Sequence, residues 1–96
     1  MTPEQMREDI AEMNEEALFA DGFDDALIGS VRQFNNTVAL YDYQACIEVL
    51  MRDGLDYDDA VEYFEFNVVG AWVGPATPAF AHLMRKEASD SGLHDV

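Results

Sequence analysis

Asp56 to Gly74 reads DYDDAVEYFEFNVVGAWVG, and the fold turns on how this stretch is read. Asp56 stands where a helix N-cap is wanted, and Asp58 and Asp59 fall in the first turn, where the helix dipole favours negative charge. At about 100° per residue, Tyr57, Ala60, Val61, Phe64, Asn67, Val68, Ala71 and Trp72 gather on one side. Asp58, Asp59, Glu62 and Glu65 gather on the other. Beyond Glu65 that second side continues as Phe66, Val69 and Val73, so an acidic face gives way to an apolar one. A helix that is apolar all round is normally buried. The expectation is therefore a helix whose far end, Phe66 to Val73, runs through the middle of the domain. The competing reading makes its outer face an interface, for instance a homodimer through Phe66, Val69 and Val73.

Upstream, Asp42 caps a second helix from Tyr43 to about Asp53, with Gly54 as its stop. Tyr43, Cys46, Ile47 and Leu50 form its inner stripe, which makes Cys46 a small core hydrophobe rather than a reactive thiol. Ala26 to Arg32 and Thr37 to Tyr41 are rich in branched and aromatic residues, and Asn35-Asn36 between them tolerates a tight turn. They read as an antiparallel hairpin, with Gly29 marking a bulge or a close contact. At the N-terminus Thr2, Pro3 and Gln5 make a capping box. Met6, Ile10, Met13 and Ala17 supply the stripe of a helix from Pro3 to about Phe19. Downstream, Pro75 to Met84 reads as an extended third strand, because a lone hairpin is marginal; the alternative is a helix capped at Thr77-Pro78. The fold class is thus α+β: an N-terminal helix, a hairpin with a third strand, and two helices packed on the sheet. Residues 1–85 form one domain and 86–96 a flexible polar tail.

Ninety-six residues with 49% hydrophobic and 26% charged side chains make a globular chain of one domain. Twenty Asp and Glu against five Lys and Arg give a net charge of -15. Such a surface repels phosphates and anionic lipid, which leaves no direct nucleic-acid binding and no membrane binding. No apolar run approaches the roughly 20 residues of a membrane span, and the acidic N-terminus is unlike a signal peptide. With one cysteine besides, the chain reads as cytoplasmic. The acidity has three readings: solubility, salt adaptation, or a surface for a basic partner.

The run YDYQACIEVL from Tyr41, the EFN at Glu65 to Asn67, and GAWVGPATPAF from Gly70 to Phe80, with ADGFDDALIG from Ala20, resemble a family of small proteins encoded by bacteriophages and prophages. Its pattern is YD-x-x-x-CIE-(I/V)-L, an acidic helix, EFN and GAWVG-x-x-TP-x-F, and the resemblance covers Ala20 to Phe80. It implies a virus-encoded protein acting in the bacterial cytosol, and transfers no catalytic residue.

Motifs for catalysis are absent: there is no phosphate loop, nucleophile elbow or HExxH, and no enzyme is expected. A calcium loop from Asp53 would place Leu55 at its third position, and one from Asp56 would place Ala60 at its fifth. Neither can ligate. His82 and His94 lack spaced partners. No metal and no cofactor are therefore expected. Asp58, Asp59, Glu62 and Glu65, repeated in pattern by Glu8 and Glu12 on the first helix, are the candidate partner contacts. Carboxylates at that spacing imitate a line of phosphates, as an inhibitor would in occupying the basic nucleic-acid groove of a host defence or nucleic-acid-handling complex, of the anti-CRISPR or anti-restriction kind. The alternatives are a small-ligand or metal-binding accessory protein using Asn67 and Trp72, and a purely structural acidic domain. Asn67, placed on the apolar side, is expected to be a buried hydrogen-bond anchor or a ligand contact.

Overall fold

The computed structural model describes residues 1–84; the expected tail, 86–96, lies outside them. Helix α1 (Pro3–Met13) opens on the expected capping box, the Gln5 amide donating to Thr2 Oγ1 at 3.2 Å and the Thr2 amide to Gln5 Oε1 at 2.9 Å. It ends at Met13, not near Phe19. The Asn14 side chain donates to the Thr37 carbonyl and accepts from the Glu16 amide, so the chain turns off to meet the hairpin. Ile10 is buried, while Met13, a turn later, is half outside.

A 3-10 turn, Asp24–Ala26, leads into β1 (Leu27–Gln33) and β2 (Asn36–Asp42), which pair antiparallel. The register slips between Leu27 and Gly29, so the glycine marks a bulge. The turn is Phe34-Asn35, one residue earlier than expected, and the left-handed residue is Phe34 (φ 60°), not an asparagine. β3 (Ala79–Ala81) joins the far edge of β2 in parallel, giving the order β1-β2-β3. The expected third strand is present, at three residues. Thr77 caps no helix; its hydroxyl donates to the Gly74 carbonyl and accepts from the Val73 amide, closing the loop before the strand.

Helix α2 (Tyr43–Arg52) follows β2 directly, with the Asp42 carboxylate over the Ala45 amide. Gly54, at φ 118°, lets the Leu55 amide reach back to the Leu50 carbonyl and stops it. Helix α3 (Tyr57–Phe64) is capped by Asp56, whose Oδ1 accepts from the Asp59 amide at 2.8 Å. α1 lies on both hairpin strands, α2 on β2, and α3 against α2. The core they share holds Ile10, Phe23, Leu27, Tyr41, Cys46, Ile47, Ala60 and Phe64. Phe64 is its hub, with the rings of Phe23, Tyr43 and Phe80 edge-on at 5.2–5.4 Å.

The largest departure comes next. Glu65–Val69 is π-helical, and Gly70 closes it by donating to the Glu65 carbonyl five residues back. A wider turn slips the wheel by about one residue. Val68 takes the inward place and Asn67 swings out. The helix then stops, so Phe66 to Val73 does not run through the core: Phe66 is 83% exposed, Trp72 72% and Val73 66%. Gly70 packs closely only against its own turn, where an added Cβ would stand 3.1 Å from the Glu65 carbonyl oxygen.

Candidate functional site

Asp58, Asp59, Glu62 and Glu65 all lie on the exposed side of the α3 and π-helical segment. That side is outward because Ala60 and Phe64 bury the opposite one. Among the described residues, two of the cations are engaged elsewhere and Arg32 makes no ion pair. Arg7 bonds Asp24 from Nε and Nη2 and stacks over Phe19, and Arg52 reaches Asp25 and Asp53. Among the described residues no Lys or Arg pairs with the acids of α3. Their mutual repulsion at i, i+3 and i+4 is therefore uncompensated, apart from the dipole at Asp58 and Asp59.

Glu65 differs from its neighbours. Its Oε2 accepts a 2.5 Å hydrogen bond from the Tyr43 hydroxyl. Partial burial, the bond to Glu65 and that carboxylate's charge together push the Tyr43 phenol up to about 12. The Tyr43 ring also stacks on His82, with centroids 4.2 Å apart. Glu65 thus ties the start of the π-turn to α2, a role the wheel could not indicate because it depends on a partner 22 residues away. Glu8 and Glu12 are exposed on α1, which rests on the hairpin rather than on α3, so the two acidic helices do not form a single packed pair.

Two exposed aromatics that were not expected at the site stand beside the acids. Tyr63 and Phe66, 48% and 83% exposed, line a cleft of about 430 Å³ together with Leu55, Asp59, Glu62 and Asn67. Phe66 reaches it because the π-turn keeps it outside. The signal in the sequence was Phe66 itself, the first apolar residue on the acidic side of the wheel. Asn67 is not the buried anchor expected of it; it is exposed, and its amide donates to the Tyr63 carbonyl one turn back. Trp72 lies outside any helix and belongs to a different surface. It walls a groove of about 870 Å³ over the sheet, with Val31, Val38 and Ala79 on its floor and the hairpin tip at its end.

No family model, curated protein or solved structure matches the chain. Among the described residues no group of His, Cys, Asp or Glu is arranged to hold a metal ion, and no helix is long and apolar enough to cross a membrane.

Proposed function

We propose that this chain is an acidic interaction protein that covers a basic surface of another protein, using the outer face of α3. The carrying observation is the row Asp58, Asp59 and Glu62, exposed and without a cationic partner among the described residues, with Tyr63 and Phe66 beside it. Carboxylates attract Arg and Lys, and an exposed aromatic ring gives a guanidinium a face to stack on. The combination suits a protein that normally holds nucleic acid, whose groove carries those cations. The resemblance to phage-encoded proteins makes a host defence or nucleic-acid-handling complex the natural target, with the chain acting as an inhibitor in the bacterial cytosol. No catalysis, cofactor or metal enters this reading.

Capture from bacterial lysate on the immobilised chain tests it. Nucleic-acid-binding proteins should be retained at low salt, released at high salt and displaced by added duplex DNA. Asp58→Lys with Glu62→Lys should abolish capture while leaving the circular dichroism spectrum unchanged. Retention that survives both the salt and the reversal would overturn the reading.

A further inference from the structure

The face of the sheet turned away from the helices carries a second inference, independent of the first. Pairing in the sheet puts Leu27, Ala39 and Tyr41 on the face that meets the helices, so Val31, Val38 and Ala79 alternate onto the other. A sheet face left to water normally carries polar side chains. Here it is apolar, and Val38 is buried outside the main core. Among the described residues the groove over it is lined by no carboxylate, in a chain that has 20 Asp and Glu. A second cleft, of about 270 Å³ and likewise without a carboxylate among the described residues, adjoins it across Thr77 and Pro78 and is edged by Leu18 and Val73. Phe34 at 91%, Trp72 at 72% and Val73 at 66% stand exposed along this one surface.

We infer that this surface is the interface with a second copy of the chain. Two copies at -15 each meet least repulsion where neither presents carboxylates to the other, and the described linings of the two adjoining clefts meet that condition. A two-fold interface must also be complementary to itself. The polar groups here are mainly amides, Gln33, Asn35 and Asn36; Asn36 donates one hydrogen to the Pro75 carbonyl, and each amide still has a donor hydrogen and an acceptor oxygen to offer, so like can pair with like. The one cation, Arg32, makes no ion pair among the described residues and lies at the rim of the apolar floor. Phe34 and Trp72 alone offer on the order of 300 Å², a sizeable share of the ~800 Å² per partner in a standard interface. Asp58, Asp59 and Glu62 line neither cleft; Asn67 alone is shared between the smaller cleft and the acidic one, so pairing leaves the carboxylates free and makes the assembly bivalent for a basic partner.

Sedimentation velocity over a concentration series, at low and high sodium chloride, tests the inference on the full chain. The expected result is a dimer that tightens as salt rises, because screening removes the repulsion between copies. That sign is opposite to the salt response of basic-partner capture. Trp72→Ala should weaken the dimer by about thirtyfold, and Trp72→Asp with Val73→Asp should leave monomers. At concentrations low enough for the wild type to be monomeric too, their thermal melts should match it, because these side chains are largely outside the fold, and the gap should open as concentration rises. A wild-type chain that stays monomeric at high salt, or a dimer indifferent to both variants, overturns the inference.

Discussion

The two halves of Asp56 to Gly74 lie in one continuous stretch of chain, and the half richer in acid is the one that builds the core. Tyr57 to Phe64 has three carboxylates in eight residues, yet it fully buries Ala60 and Phe64. Phe66 to Val73 has none, and it leaves Phe66, Trp72 and Val73 mostly in water. Burial follows register, not local hydrophobicity. In the first half the apolar residues recur at helical spacing, so a single stripe meets α2. In the second they recur on every side, so whichever face the helix turned inward, others had to remain outside.

The largest effect expected from this contrast separates two phenylalanines two residues apart. Phe64→Ala removes a ring held by three others and should cost about 3–5 kcal/mol of unfolding free energy in a urea titration. That is a large share of the roughly 5–14 kcal/mol a domain this size has in total. Phe66→Ala takes away a ring that is 83% exposed and should stay within about 0.5 kcal/mol of wild type. Equal losses would mean that the two halves are packed alike, and the contrast would fall.

What the sequence disclosed and what it withheld divide along the same line. Thr2, Asp42, Asp56 and Gly54 announce helix ends because a cap acts within three or four residues of itself, and each is found at its post. Cys46 and Phe64 could be placed in the core by spacing alone, and Gly29 could be narrowed to a bulge or a close contact, of which the register shows the bulge. The end of α1 could not, because Asn14 stops it by bonding to Thr37, 23 residues away. Nor could the π-turn, which shifts Asn67 out by one position and is braced by Tyr43 through Glu65. The acids Asp58, Asp59 and Glu62 were legible as an outward row; the aromatic neighbours that give the row a shape were legible only once the wheel had slipped.

Alkaline pH offers a sharper probe of the brace between the halves. Cys46 is raised to about 12 by burial and the nearby Asp42, Tyr41 is raised mainly by burial, and Tyr43 is raised to about 12 by burial and Glu65. Each of these groups must keep its proton in the folded state, whereas the unfolded chain loses protons from about pH 9 for cysteine and 10 for tyrosine. Above those values the unfolded state binds fewer protons, so stability falls as pH rises towards 12. Urea midpoints should therefore be level near neutrality and decline from about pH 9. Tyr43→Phe keeps the ring and removes the ionisable hydroxyl with its bond to Glu65. Stability at pH 7 should drop by about 1 kcal/mol, and the decline above pH 10 should become shallower. An unchanged alkaline slope would show that Tyr43 and Glu65 do not hold the π-turn to α2.

The smallest expected effect bears on the acidic half alone and has a sign opposite to intuition about a helix surface. Glu62 stands four residues after Asp58 and three before Glu65, with like charge on both sides. Asp59, three residues before it, adds a third like charge, so Glu62→Lys replaces three repulsions by three attractions, and an acid N-terminal to a lysine at that spacing is the favourable order. Stability should rise, by about 0.3–0.5 kcal/mol at low salt, and the gain should shrink as sodium chloride screens the face. A helix surface selected only for stability would not carry Glu there. The same substitution is one of the pair expected to abolish capture of a basic partner. A variant that gained stability and lost capture would show that these acids are kept for something other than the fold, whereas one that lost stability would return them to a structural role.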